Sequence, residues 1–205
     1  MSLPTPDDVE SRELDPIRGD FAKVRPRLKL RLYPSGFGSD GAVVAAPIAP
    51  GLQAVLVFDL PSAIAPVRPV DVRAWARPAE ELIALALENV RTQEQVRVQT
   101  MDIGEARIFT VSGESVFVAT LGMTVEDLLG KSDLGALVCV PSSHIVLCHS
   151  LMGRSAIPVF EAMRATGQKV YGEGPHSLSP LVYRRRGNTL TPLADVKELI
   201  AELPQ

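Results

Sequence analysis

The sequence predicts an α+β fold, with mostly antiparallel sheets of short strands and about four helices packed on one side. Short apolar or alternating runs lie between segments that contain glycine and proline, a spacing typical of strands. Four segments, one of them short, have the pattern of helices. The strand-like runs cluster ahead of single helices and do not alternate strictly with them, which favours antiparallel over parallel pairing.

The first half of the chain predicts three strands and one helix. Charged and apolar residues alternate from Lys23 to Tyr33, the pattern of a half-buried strand. Apolar runs predict further strands at 42–46 and 52–58. A helix is predicted over 77–93, with Pro78 in its first turn and an apolar stripe behind it.

The second half predicts more strands with helices between them. Strand-like runs occupy 95–101, 106–111 and 115–121, and the last two look like a hairpin joined near 112–114. A short helix is predicted at 124–130, a hairpin at 138–150, and a helix at 155–167 that Gly167 ends. Strand patterns follow at 180–187 and 188–192, and an amphipathic helix closes the chain at 191–203.

Composition and charge restrict the class of protein. Of 205 residues, 46% are hydrophobic and 22% are charged, which is ordinary for a globular chain. The net charge of -3 and the pI of about 5.7 provide no general attraction to phosphate backbones, so we do not expect a nucleic-acid partner. Residues 1–20 are polar and contain several prolines, and they predict a flexible N-terminal arm before a single α+β domain at 21–205.

The same features predict a cytoplasmic location. The acidic start "MSLPTPDDVESRELD" lacks the apolar core of a secretory signal. The uncharged stretches 41–58 and 134–153 are interrupted by proline-containing turns, so we expect no membrane span. Two cysteines do not form a disulfide framework, and we expect free thiols in a bacterial cytoplasm.

The stretch "VCVPSSHIVLCHS" (138–150) contains the residue types of a nucleophilic site. A turn at Ser142 and Ser143 would place Cys139 opposite Val146. Side chains alternate along a strand, so Cys148 and His149 would point to opposite faces. His144 would share a face with Cys148 but lie roughly 13 Å away, at about 3.3 Å per residue. We therefore expect a hydrophobic hairpin whose cysteines are core residues.

Three residues remain as catalytic candidates: Ser142, His144 and His176. They would support a small hydrolase or transferase if the fold brought them into one cleft. The three histidines of the chain are scattered and no metal-binding motif is present, so we expect no metal. The "GFGSDG" segment matches a dinucleotide-binding pattern, but the prolines that follow exclude the required helix, and we expect no cofactor.

Two cationic segments are candidates for binding an anionic ligand. In a strand from Lys23, five cations would line one face: Lys23, Arg25, Arg27, Lys29 and Arg31. The alternative is the solvated face of an outer strand, where cations deter aggregation. A second group follows a later strand pattern: Arg184, Arg185 and Arg186.

Three segments resemble the YtpQ-like proteins, a bacterial family of unknown function. They are "PAEELIALALENVR", "LGALVCVPSSHIVLCHSL" and "SLSPLVYRRRGNTLTPL", and the resemblance covers roughly residues 52 to 192. The family's tyrosine-bearing acidic segment is degenerate here at 123–130. The resemblance implies a fold and a bacterial cytoplasm, but no catalytic residues.

The sequence thus predicts a non-enzymatic module that binds a protein partner or associates with itself as a homo-oligomer. The strong structural patterns without a converging reactive set favour this interpretation. The alternatives are the small hydrolase or transferase that uses Ser142, His144 or His176, and the binder of an anionic ligand through Lys23–Arg31.

Overall fold

The described residues form an α+β fold with two antiparallel sheets, which confirms the predicted class. The computed structural model describes residues 6–38, 41–174, 176–187 and 189–203. Seven α-helices occur in these ranges, more than the four expected, because three of them lie in segments where the sequence pattern predicted none. The chain divides into two compact units. The first comprises Met1–Arg31, Gly36–Ala46 and Ala54–Gln93, and the second comprises Leu32–Ser35, Pro47–Gln53 and Glu94–Gln205.

The smaller sheet has four strands in the order β1-β3-β2, with β4 paired to β3. The strands are β1 (Leu28–Pro34), β2 (Ala45–Ala49), β3 (Leu52–Asp59) and β4 (Ile64–Pro66). The β3 pattern of nearly continuous apolar residues predicts a buried strand, and five successive residues, 54–58, are buried.

Helices of the first unit are α1 (Pro6–Arg18), α2 (Phe21–Val24), α3 (Pro69–Trp75) and α4 (Ala79–Gln93). The helix expected from the spacing at 77–93 is confirmed as α4, which buries Leu82, Ala86 and Val90. Its Asn89 side chain donates to the carbonyls of Arg25 and Leu28, at 2.8 Å each. This amide fixes the chain where it enters β1.

Residues 6–18 form α1, whereas the sequence predicts a flexible arm there. Leu14 is fully buried, and the Arg18 guanidinium donates to both Asp71 oxygens at 2.7 and 2.9 Å. The Trp75 indole donates to the Arg18 carbonyl at 2.8 Å. These anchors come from α3, far along the chain, so the local polar pattern of residues 1–20 contains no sign of them.

The strand predicted from Lys23 begins only at Leu28, and the residues before it, 23–27, are helical. Asp20 caps α2 by accepting from the Ala22 amide at 3.1 Å. A 3₁₀ turn at Arg25–Arg27 follows, with Pro26 in its first positions, and β1 begins only at Leu28. The expected strand at 23–27 is therefore wrong, because proline and a capped turn override the alternating pattern.

The larger sheet has six strands in the order β10-β9-β7-β8-β6-β5, all antiparallel. These are β5 (Arg97–Ile103), β6 (Ala106–Ser112), β7 (Ala136–Ser142), β8 (Ile145–Ser150), β9 (Val182–Arg186) and β10 (Thr189–Leu193). The helices of this unit are α5 (Glu126–Leu129), α6 (Ala156–Glu173) and α7 (Val196–Glu202).

One face of the larger sheet packs against α6 and α7. Buried side chains of α6, among them Val159, Phe160 and Met163, meet Leu137 and Cys139 of β7 in one apolar cluster. Gly167 lies inside α6 and does not end it, which corrects the predicted helix end. A Cβ on Gly167 would lie 2.6 Å from the Cys139 sulphur, so this glycine permits a close approach of helix and strand.

The segment predicted as a strand at 115–121 is a 3₁₀ helix at Val118–Thr124. It covers the other face of the sheet, where a Cβ on Gly122 would lie 3.0 Å from Val140. The Ala119 amide donates to the Ser143 carbonyl at 3.0 Å. The expected hairpin at 112–114 is therefore wrong, because an apolar run that is buried all round fits a short helix as well as a strand.

Candidate functional site

The β7–β8 hairpin is present, but its register differs from the predicted one by one residue. Cys139 lies opposite Leu147 and Val138 opposite Cys148, and the pairing is irregular between Cys139 and Ser142. The turn residues are Ser143 and His144, not Ser142 and Ser143. The irregularity shifts the pairing between the turn and the rest of the hairpin, and a pattern of uniform alternation does not predict such a shift.

Both cysteines are free and fully buried, which confirms their expected place in the core. Residues that face each other across strands share a face, so Cys139 points to the α6 side and Cys148 to the other. Burial raises the pKa of each thiol to about 12. Since the thiolate is the nucleophile, neither sulphur is activated at neutral pH.

His149 points to the α6 side and is itself almost entirely buried. Its Nδ1 lies 2.8 Å from the Arg107 carbonyl, which can only accept, so Nδ1 carries the proton and Nε2 is the basic nitrogen. Nε2 is buried and has no hydrogen-bond partner among the described residues. Burial lowers the pKa of His149, and the bond to Arg107 offsets this only in part.

His149 lies just beyond the point where β8 stops pairing with β6. β6 pairs with β8 only as far as Phe109 and Cys148, whereas β5 and β6 stay paired to Ile103 and Ala106. The imidazole bridges the diverging strands through the Arg107 carbonyl. A cleft of about 210 Å³ opens there. It is lined by Glu105, Ala106, Arg107, Phe109, His149, Ser150, Met152 and Ser155.

The three catalytic candidates of the sequence lie close together. The ring centres of His144 and His176 are 5.6 Å apart, with the planes tilted by 69°. Ser142 pairs with Ser177 in an isolated antiparallel bridge. The segment around His176 thus runs beside the β7–β8 turn, although it is distant in sequence.

The hydroxyls at this place bond to the backbone. Ser142 Oγ accepts from the His144 amide at 3.3 Å, and Ser143 Oγ donates to the His176 carbonyl at 3.4 Å. Neither hydroxyl makes a hydrogen bond to an imidazole within the described ranges. In a nucleophile–base pair the serine hydroxyl makes such a bond to its base.

The Arg184–Arg186 group is mostly engaged with the loop before β7. Arg184 donates to the Leu134 carbonyl at 2.9 and 3.1 Å, and Arg185 pairs with Glu126. Arg186 reaches the Asp133 carbonyl at 3.4 Å. Burial, and then repulsion from Arg186, lower the pKa of Arg184. A cleft of about 430 Å³ beside this group is lined by residues of both signs, among them Lys131, Asp133 and Glu126.

The cations from Lys23 to Arg31 do not form one face of a strand. Lys23 lies in α2 beside Asp20, and Arg25 and Arg27 lie in the 3₁₀ turn. Lys29 is buried and pairs with Asp59 at 2.8 Å, and Arg31 follows on β1. The five cations are therefore distributed over three kinds of local structure.

The most exposed strand is β5, which the sequence patterns did not single out. It forms one edge of the larger sheet, and six of its seven residues are exposed. Val98 and Met101 expose 45% and 48% of their surface, and Val96 just before the strand exposes 39%.

A tight turn shapes the β5–β6 hairpin. Ile103 pairs with Ala106, and Gly104 has a φ of 60° at the first position of the two-residue turn. In a hairpin with a two-residue turn, the pair of residues that closes the turn is hydrogen-bonded, here Ile103 and Ala106. Along the two strands, hydrogen-bonded pairs then alternate with pairs that are not hydrogen-bonded. The N–H and C=O groups of Val98, Thr100 and Asp102 therefore point away from β6, toward the open edge.

No family model, curated protein or solved structure matches this chain. Among the described residues, no three histidine, cysteine or acidic side chains are grouped to hold a metal ion. In the same residues, no helix has the length and apolar character needed to cross a membrane.

Proposed function

We propose that this protein is a non-enzymatic module that associates with itself through the open edge of β5. The observation that carries the proposal is the place of β5 at one edge of the larger sheet, where its outward backbone groups pair with no described strand and six of its seven residues are exposed. An exposed, apolar strand edge is a template for pairing with another strand. The occupant that we propose is β5 of a second copy.

The other edge of the same sheet is protected, and this contrast supports the choice of β5. β10 has five residues, and one of them is Pro192, which cannot donate a hydrogen bond. β5 has seven residues and no proline. Proline and short length are two of the means by which proteins block an edge, and β5 has neither.

A two-fold axis at Thr100 gives a self-complementary pairing. Closed dimers with one antiparallel interface place a residue opposite its own copy. Thr100 opposite Thr100 uses the outward-pointing groups and allows a cross-strand hydroxyl contact. Met101 then lies opposite Gln99 of the second copy.

The charges of β5 agree with this register. Arg97, at the start of the strand, meets the turn end of the second copy, which carries Glu105. No two like charges are directly opposed, because Arg97 faces Ile103 and Asp102 faces Val98. Both Arg97 and Glu105 are exposed and accessible to a partner.

The chemistry of the candidate residues supports a non-enzymatic role. The thiols are buried with a raised pKa, and the hydroxyls of Ser142 and Ser143 bond to the backbone. The two free cysteines also support the proposed cytoplasmic location, where thiols stay reduced. Membership of the YtpQ-like family stays a proposal that rests on the quoted sequence segments.

Light scattering after size-exclusion chromatography tests the proposal over a range of concentrations. We expect the mass of the wild-type chain to rise from that of a monomer to that of a dimer as the concentration increases. In Val98→Lys this rise should need at least about tenfold higher concentration, because a loss of about 1.4 kcal/mol of association free energy weakens binding tenfold. The matched control is Val70→Lys in α3, where the valine is 49% exposed and not part of β5. A wild-type monomer at all concentrations, or an equal effect of both substitutions, would contradict the proposal.

A further inference from the structure

We propose that His144 and His176 form a binding site for a divalent transition-metal ion of the late first row, such as Ni²⁺, Cu²⁺ or Zn²⁺. Two imidazoles bound to one ion at about 2.0–2.1 Å through nitrogen place their ring centres roughly 5–6 Å apart. The observed separation is 5.6 Å. The observed distance between the ring centres thus falls within the range that a shared ion requires.

The backbones of both histidines make hydrogen bonds to neighbouring segments. The His144 amide donates to Ser142 Oγ at 3.3 Å, and its carbonyl accepts from the Gly113 amide at 3.2 Å. The His176 carbonyl accepts from the Ser143 amide at 3.0 Å and from Ser143 Oγ at 3.4 Å. Preorganised ligands lose less conformational entropy when an ion binds.

His176 also has an unusual backbone conformation. Its φ of 66° lies in the left-handed region, which costs free energy for a residue with a Cβ. His176 is one of two non-glycine residues with positive φ in the described ranges. This conformation directs the chain so that an exposed imidazole meets the half-buried ring of His144.

The site would hold the ion with two protein ligands and leave its other positions to water or a small anion. The absence of a third ligand among the described residues predicts binding that is reversible and of moderate affinity. Imidazole suits nickel, copper and zinc, whereas Mg²⁺ prefers oxygen ligands. Affinity should therefore rise from Ni²⁺ to Cu²⁺, and Mg²⁺ should not bind here.

Isothermal titration of the untagged full chain with Ni²⁺ and Cu²⁺ chlorides tests the site, and NMR of the histidine side chains locates it. We expect one ion per chain, and a loss of affinity of about tenfold or more in both His144→Gln and His176→Asn. Asparagine tolerates the left-handed conformation, so His176→Asn retains the local fold. His149→Gln is the matched control, because the third histidine lies in the β6–β8 cleft and its removal should leave binding unchanged.

Two results would overturn the proposal. One is a wild-type chain that binds neither ion up to millimolar concentration. The other is binding that persists at full affinity in both His144→Gln and His176→Asn, which would place the ion elsewhere. Because these histidines lie outside β5, the outcome is independent of self-association.

Discussion

Gly167 of α6 and Cys139 of β7 are so close that a methyl group on Gly167 would lie 2.6 Å from the Cys139 sulphur. The contact joins the main helix of the second unit to the centre of its sheet. It explains why a glycine interrupts the helical pattern at a buried position. The helix continues past it to Glu173, because the close approach compensates for the low helix propensity of glycine.

We predict that Gly167→Ala lowers the free energy of unfolding by about 1–3 kcal/mol, because the added methyl group overpacks the helix–strand contact. Denaturant unfolding measures the change. Cys139→Ala in the same chain should reduce the cost of Gly167→Ala, since it removes the sulphur. Gly172→Ala, in the same helix with open space around it, is the control and should not destabilise. Strict additivity of the Gly167 and Cys139 substitutions would contradict this account.

We predict that the Arg18–Asp71 pair stabilises the first unit above acidic pH. Burial alone would raise the pKa of Asp71, but the hydrogen bonds from Arg18 and the Arg68 amide outweigh it, and the pKa is lowered below 3.8. A lowered folded-state pKa gives stability that is present above the unfolded value and is lost as pH falls through the folded one.

Asp71→Asn should therefore destabilise the protein by about 1–3 kcal/mol at neutral pH, and the difference from wild type should shrink at acid pH. Thermal unfolding from neutral to acid pH measures both. Glu88→Gln is the matched control, because Glu88 forms a similar pair with Arg91 at 2.6 Å but is exposed and lies outside β5. An equal effect of the two substitutions at neutral pH would show that burial of the pair does not matter.

We predict that His149 makes stability fall in mildly acid solution. Its pKa is lowered from 6.5 by burial, so the unfolded chain takes up a proton before the folded one does. Stability is then fully present above pH 6.5 and decreases as pH falls toward the folded-state pKa. Urea midpoints of wild type and His149→Gln at several pH values test this. If the urea midpoints of both proteins fell equally with pH below 6.5, the loss of stability would come from groups other than His149.

We predict that neither cysteine reacts with a thiol reagent in the native protein. Both are fully buried, and burial raises the pKa of each thiol to about 12. Titration with a chromogenic disulfide should detect no thiol in native protein and both in denaturant. Rapid modification without unfolding would contradict the core positions of Cys139 and Cys148.

Local patterns predict those elements whose stabilising contacts are also local. The α4 helix follows from apolar spacing between 82 and 90, and the β7–β8 hairpin from an apolar run divided by "PSSH". The helix at 6–18 does not follow, because its anchors Asp71 and Trp75 lie far along the chain. The proximity of His144 and His176 is likewise a product of topology, since the segment around His176 returns to the β7–β8 turn.

The hairpin register and the exposure of β5 could not be predicted for a different reason. Strand patterns show which residues alternate, but an irregularity such as that between Cys139 and Ser142 shifts pairing by one residue without changing composition. Whether a strand lies at the edge or the centre of its sheet depends on the strand order, here β10-β9-β7-β8-β6-β5. The sequence of one strand does not contain this information. "RVQTMDI" could equally lie at the centre of a sheet.

Hydrogen exchange of single amides in β5, followed by NMR at increasing protein concentration, tests self-association most directly. If two copies pair at Thr100, the outward amides of Val98, Thr100 and Asp102 should become protected as the dimer forms. The inward amides of Gln99 and Met101, already bonded to β6, should change less. Outward amides that exchange equally fast at all concentrations would contradict the account.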